Sequence, residues 1–385
     1  MRCLAASSAF ALAVLAAGGP AAAGSGPAGE LTLSGPAATA YAHEVDFRGR
    51  LRPAAAGVRV ELRRGRAFVA ATATARDGSF RFHVRIGRPG PFTAQARALA
   101  SAPVTVRIVP FLDAQLVGAR VAGSPLALEA RLRPSYAGAL RVRVERGGGQ
   151  TFSRTFGPAA HVSLGTAAIE RFRIVVEGLP RPGFADVSRA LPVSLRPPRL
   201  SYGGRSPVVA QVLSRLHALG YAVPSTAQTA FDGDVLESVY AFEKVQGLPR
   251  TGIVDAAFWE RLDHPTVPQP RYQSPTAHIE IDKARQVLYL VRDGQVRLIS
   301  PVSTAGIAGY STPEGRFAIY RKVPGYDPSP LGVLYKPMYF TGGYAIHGNP
   351  SVPPYPASHG CVRVPNFVIE RLYDSEPFGE TVYVY

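Results

Sequence analysis

Two histidines and a cysteine crowd the C-terminal end of this sequence. His347 and Gly348 follow the run Tyr344-Ala345-Ile346, and after a proline-rich stretch come Ser358, His359, Gly360, Cys361, Val362 and Arg363. A thiol becomes a strong nucleophile when a base takes its proton, a positive neighbour favours the anion, and amide donors stand ready for the oxyanion of a tetrahedral intermediate. This stretch can offer all three. Gly360 lets the backbone approach a reacting carbonyl closely, because no Cβ stands in the way. Two other readings fit the same residue types: an inert buried thiol beside a satisfied histidine, and an open zinc site with the two histidines and the cysteine as its three ligands.

Cysteine usage bears on that choice. Residues 1–23 open with Arg2, run apolar from Leu4 to Leu15 and end in Ala21-Ala22-Ala23, the pattern of a cleaved secretory signal. About a dozen apolar residues fall short of the roughly 20 that a spanning helix needs, so no transmembrane segment is expected after cleavage. Cys3 precedes the apolar run, which is not where a lipid-modified cysteine would stand. The mature chain then has Cys361 as its one thiol, in an oxidising compartment and without an intramolecular partner. The protein is expected to be exported, to the periplasm or the cell wall. Its formal charge of +16 comes almost wholly from arginine, with lysine only at 244, 283, 322 and 336. That balance suggests a polyanionic partner. No nucleic-acid-binding motif is present, so anionic wall polymers or lipid surfaces fit better than nucleic acid, while a general arginine bias would explain the charge with no partner at all.

For His347 and Cys361 to meet, the chain between them must turn back. Tyr344 to Ile346 reads as a strand that fixes His347 at its end, and the proline-rich loop returns Cys361 beside it. Residues 276–385 should be largely β: Ala277 to Asp282 and Val287 to Val291 alternate around a turn at Lys283 to Arg285, and Asp293-Gly294 marks the next hairpin. A proline-rich linker, 265–275, precedes this domain. Between 200 and 264 the periodicity becomes helical. Ser206-Pro207 starts a first helix with Val209, Val212, Leu213, Leu216 and Leu219 on one face. A second begins at Asp234 with Glu237 three residues on, as in a capping box, and a third follows Asp255. Residues 30–197 alternate with period two and repeat: Arg50-Leu51-Arg52-Pro53 and Gly57 recur as Arg131-Leu132-Arg133-Pro134 and Gly138. Two β-sandwich modules, 30–110 and 111–197, account for this, with a hairpin turn at Asp77-Gly78.

Three resemblances join these readings. The sandwiches look like the immunoglobulin-like spacer domains of surface proteins. Leu216-x-x-Leu219-Gly220-Tyr221, Val239-x-x-Phe242, Gln246-Gly247-Leu248 and Thr251-Gly252-x-Val254-Asp255 resemble the small three-helix peptidoglycan-binding domain; a ligand-free helical core would keep the same apolar positions. The C-terminal region resembles the L,D-transpeptidase (YkuD-like) catalytic domain, through His347, Ser358-His359-Gly360-Cys361-Val362-Arg363, Pro301-Val302-Ser303-Thr304 and Thr312-Pro313-Glu314-Gly315-Arg316-Phe317. The loop before Ser358 is short for that family. The expected fold is therefore multidomain and mainly β: two immunoglobulin-like sandwiches, a small three-helix domain and a β-rich catalytic domain.

That last resemblance implies roles. Cys361 would be the nucleophile and His347 its base, oriented by the Gly348 carbonyl. Gly360 and Cys361 would supply oxyanion amides, and Ser358 and His359 would shape the site. Arg363 would hold a substrate carboxylate or favour the thiolate, unless it is a solvated surface charge, and Tyr339 would line the cleft, unless it is core. The implied reaction releases D-alanine from a peptidoglycan stem tetrapeptide and passes the acyl group to a neighbouring amine, with no metal or organic cofactor. The implied partners are the stem peptides and glycan of the wall. An L,D-carboxypeptidase, and a non-catalytic wall-binding protein, are the alternatives.

Overall fold

The computed structural model describes residues 29–385; the expected signal peptide and Cys3 lie outside them. The chain divides into two compact units, one running to Phe111 and including Pro180–Asp186, the other comprising Leu112–Leu179 and Val187–Tyr385.

The first unit is a β-sandwich. One sheet pairs Glu44–Arg52 with Glu30–Ser34 on one side and Ser79–Arg85 on the other; the second contains Ala38–Ala40, Val104–Val109, Gly90–Ala96, Arg59–Arg64 and Ala67–Ala73. Period-two alternation is visible in its burial, with Phe47, Leu51, Val60, Leu62, Phe80 and Phe82 all in the core. The expected hairpin at Asp77-Gly78 is not one. Ala67–Ala73 and Ser79–Arg85 belong to different sheets, and the turn carries the chain across, its Gly78 carbonyl accepting from the Leu51 N–H at 2.9 Å. A turn signal fixes a change of direction, whereas the strand it leads to is chosen by which face must be buried.

The second unit begins with another two-sheet sandwich. Leu126–Arg133 lies between Phe111–Gly118 and Ala159–Leu164, facing the sheet Gly149–Phe156, Gly138–Arg146, Arg171–Pro180, Ser188–Ser194. The Arg-Leu-Arg-Pro repeat ends the corresponding strand in both sandwiches, Glu44–Arg52 and Leu126–Arg133.

Three helices follow: α1 (Pro207–Ala218), α2 (Gly233–Gln246) and α3 (Ala256–Asp263). Ser206 caps α1 through the Val208 N–H, and Asp255 caps α3 through the Phe258 N–H. For α2 the cap is Asp232 rather than Asp234, accepting from the Val235 N–H at 3.1 Å, and Glu237 is not part of a capping box. Phe242 packs against Tyr221 and Phe258 with ring centroids 5.4 and 4.6 Å apart. One face of α2 thus closes the helical core. Its other side, with Glu237, Ala241 and Lys244, is buried as well.

That second buried face meets the C-terminal domain. The helical module also adds backbone to it: Tyr221 bridges Ile299, the Ala222 N–H donates to the Ile299 carbonyl, and Ala222 joins the C-terminal core cluster. Residues 265–275 are held at both ends. Thr266 exchanges two hydrogen bonds with the Gln246 side chain, and the Arg271 and Tyr272 amides donate to the Glu280 carboxylate.

The C-terminal domain has two mixed sheets. One runs Gln295–Pro301, Val287–Arg292, His278–Asp282, Thr381–Val384, Gly315–Ala318; the other runs Arg321–Lys322, Gly332–Thr341, Tyr344–Asn349, Val362–Pro365, with Tyr326–Ser329 also paired to Gly332–Thr341. Asp293-Gly294 is the two-residue hairpin expected, both residues at positive φ (53° and 68°). Helix α4 (Asn366–Ser375) packs Val368, Ile369 and Leu372 into the core with Ile346, Val362 and Val364.

Candidate active site

Tyr344–Asn349 and Val362–Pro365 run parallel, with Ile346 opposite Val362, His347 opposite Arg363 and Gly348 opposite Val364. Residues paired in register point to the same side of a sheet, and neighbours along a strand alternate. Ile346, Val362 and Val364 face the core. His347, Arg363 and, two residues before it, Cys361 therefore share the opposite face. The chain reaches this register by the crossover through residues 350–361 that the proline-rich loop suggested.

The Cys361 thiol lies over the strand that carries His347. Its Sγ is 3.8 Å from the Gly343 carbonyl, and the Ala345 amide faces it. Burial pushes the thiol above its usual range, while the Ala345 amide and the Arg363 charge pull the other way. His347 is buried, with Nδ1 2.9 Å from the Gly348 carbonyl oxygen. A carbonyl only accepts, so Nδ1 carries the proton and Nε2 is left as the acceptor. Burial first, and Arg363 in addition, lower the imidazole to about 4 against the opposing Gly348 bond. The sequence suggested a positive setting that would hold a thiolate; burial outweighs it and favours the neutral form of each group.

Around the thiol the backbone is tied down. Ser358 O–H donates to the Cys361 carbonyl at 2.6 Å, and its Oγ accepts from the Gly360 N–H at 3.0 Å. The Gly360 amide, expected to face an oxyanion, is thus occupied by Ser358. Gly360 sits at φ +134°, which side chains rarely adopt, and a Cβ there would lie 2.4 Å from the Tyr344 ring, so backbone conformation and ring packing both demand glycine. A Cβ on Gly348 would meet Ile369 Cγ2 at 2.5 Å. Thr312, quoted above only as part of a motif, is a buried clamp: its hydroxyl donates to the Gly360 carbonyl at 2.8 Å and accepts from the Ala305 N–H at 3.0 Å. A small polar residue in a loop gives no sequence signal for such a tertiary bond.

The remaining expected residues border one cleft of about 800 Å³, lined by Cys361, His347, His359, Ser358, Arg363, Tyr339 and the hairpin segment 327–334. Arg363 is half-buried there and has no carboxylate partner among the described residues. Tyr339 does two things, packing in a small core cluster beside Cys361 and donating its hydroxyl to Asp327 at 2.8 Å. His359 stands edge-on to Tyr310, centroids 4.8 Å apart. Among the described residues no group of His, Cys, Asp and Glu could hold a metal ion.

The family YkuD, described as the L,D-transpeptidase catalytic domain, matches residues 276–384, and a putative peptidoglycan-binding domain matches 205–262. No curated protein matches the chain. Among solved structures, the L,D-transpeptidase of Xylanimonas cellulosilytica is 37% identical, over 49% of this chain and 98% of that one, with a TM-score of 0.47. An L,D-transpeptidase from Stackebrandtia nassauensis is 23% identical over 48% and 94%, TM-score 0.31, and a two-domain fibronectin type-III segment of chicken tenascin is 16% identical over 42% and 97%, TM-score 0.29. With the family matched over the domain that holds the cleft, and a 37% identical relative covered almost end to end, the chain belongs to the YkuD family of L,D-transpeptidases.

Proposed function

We propose that this transpeptidase cross-links peptidoglycan through a thioester on Cys361. The observation that carries the reading is the shared sheet face: His347, Cys361 and Arg363 lie on one side of two parallel strands and border one cleft. Cys361 Sγ attacks the carbonyl carbon between the L-centre of a diamino acid and the terminal D-alanine of a stem tetrapeptide. The thiol proton passes to His347 Nε2, the carbonyl π pair moves onto oxygen, and the intermediate collapses as the imidazolium protonates the leaving nitrogen of D-alanine. An amine from a neighbouring stem then attacks the thioester and gives its proton to His347, which returns it to the departing sulfur. The product is a new amide and a free thiol.

The neutral resting pair supports proton transfer during attack rather than a standing thiolate. The Cys361 amide is the backbone donor for the oxyanion, since Ser358 holds that of Gly360. His359, at the cleft rim, is a second donor. The unpaired Arg363 receives a carboxylate of the donor stem, and Tyr339 forms part of the wall. No cofactor enters the scheme. The helical module retains the enzyme on peptidoglycan, and the protein works after export, in the periplasm or at the wall.

Incubation with a disaccharide-tetrapeptide should release D-alanine and yield dimeric muropeptides, and a carbapenem should leave one covalent adduct on Cys361. Cys361→Ala should abolish all three while unfolding like the wild type. D-alanine release by the purified variant would remove Cys361 from the mechanism; release without dimers would reassign the enzyme as a carboxypeptidase.

A further inference from the structure

The loop 350–357 between His347 and Ser358 has prolines at 350, 353, 354 and 356, which cannot donate a hydrogen bond. Its four remaining N–H groups and its carbonyls must find partners, and two of these partners lie outside the catalytic domain. The Val352 N–H donates to Glu237 Oε1 of α2 at 2.8 Å, with Val352 fully buried. The Arg250 guanidinium, just beyond α2, donates to the Pro354 carbonyl at 2.7 Å and to the carbonyls of Ala284 and Arg285 at 3.3 and 3.1 Å. Lys244 Nζ, buried in the last turn of α2, donates to the Val302 carbonyl at 2.9 Å.

Val302 leads directly into the segment that holds the other end of the same loop. Ser303 Oγ donates to the Tyr355 carbonyl at 2.9 Å, and the Thr304 carbonyl accepts from the amides of Ala357 and Ser358, both at 2.9 Å. Ser303 and Arg363 exchange backbone hydrogen bonds at 3.1 Å. A chain of contacts thus runs from α2 to the backbone on either side of Cys361.

Glu237 is the least expected member. It is 7% exposed, and its Oε2 has no hydrogen-bond partner. A buried, half-satisfied carboxylate is costly, so a helix needing only a core face would not favour it. Burial raises Glu237 to about 7 and lowers Lys244 to about 7, each opposed by the charge of the other.

We propose that Glu237, Lys244 and Arg250 of the wall-binding module are positioning residues for catalysis, which clamp the loop 350–357 and thereby set Cys361 against His347. The module then has a second role besides holding the wall. This rests on the reading of Cys361 as nucleophile.

The test uses the full chain with a soluble disaccharide-tetrapeptide, so that retention on the wall plays no part. Glu237→Leu should lower kcat roughly ten- to a hundred-fold with little change in KM, as a displaced nucleophile would. It should also change the rate at which iodoacetamide alkylates Cys361, followed by mass spectrometry. Glu237→Gln keeps an acceptor for the Val352 amide and should restore most of the rate. Both variants should still sediment with insoluble peptidoglycan. A folded Glu237→Leu protein with wild-type kcat and alkylation overturns the proposal. If that variant does not fold, Arg250→Ala, whose side chain is at the surface, decides instead: several-fold loss of kcat supports the clamp, and an unchanged kcat with unchanged alkylation overturns it. Alkylation separates the two readings. A wild type that releases no D-alanine refutes the proposed reaction, whereas altered alkylation in the variants would still uphold the clamp.

Discussion

The titration behaviour of the two central residues sets the enzyme apart from one with a standing thiolate–imidazolium pair. Burial moves the Cys361 thiol up and the His347 imidazole down, and each shift favours the neutral form. Alkylation of Cys361 should therefore keep accelerating past the ordinary thiol range of about 8.5, with no plateau near neutrality. A plateau below pH 7 would point to the ion pair. His347 also ties stability to pH. Its folded value, about 4, lies below the ordinary 6.5, so the unfolded chain binds the proton first as pH falls. Stability contributed at neutral pH is thus lost between 6.5 and 4, by up to about 3 kcal/mol. Unfolding free energies from urea titrations of wild type and His347→Gln should diverge across that window, by a total approaching this amount.

At the scale of elements, the strand that carries His347 and the turn that presents Cys361 each depend on a glycine, for different reasons. Gly348 lies against α4, where Ile369 and Asn366 leave no room for a methyl group; Gly360 combines a left-handed φ with the Tyr344 ring. Because Tyr344 also borders the cleft, Gly360→Ala should do more than strain the backbone. It should cost about 1–3 kcal/mol in chemical unfolding and lower D-alanine release, since a ring that lines the cleft must shift. An alanine variant with unchanged unfolding midpoint and rate would show that the ring yields freely. Thr312 belongs to the same scale, because one hydroxyl joins the Gly360 carbonyl to the loop at Ala305.

For the whole molecule, the helical module and the catalytic domain share a core. Tyr221 and Ala222 extend the edge of a catalytic sheet beside Ile299, Ala222 packs with Ile281 and Leu298 in one cluster, and Lys244 is buried against Val302. Separating them would uncover apolar surface and leave Glu237 and Lys244 without partners. Residues 200–385 should accordingly unfold in a single transition, seen both by the fluorescence of Trp259 in α3 and by protection of the amides of Tyr344–Asn349 from hydrogen exchange. Two separated transitions would mean that the module is an independent bead.

The sequence by itself determined which residues make up the candidate site and most of the local structure. A thiol in His-Gly-Cys, a histidine ahead of a proline-rich loop, helical periodicity between caps, and the Asp293-Gly294 turn are all written in residue types and near-neighbour spacing. Tertiary structure decided what depends on partners distant in the chain. It sent Ser79–Arg85 to the opposite sheet, turned Glu237 from a helix cap into a ligand for the Val352 amide, buried Lys244, and gave the Gly360 amide to Ser358. The physical reason is the same in each case. Propensity and periodicity act within a few residues, whereas the partner of a buried polar group is fixed only when two distant segments close over it and exclude water.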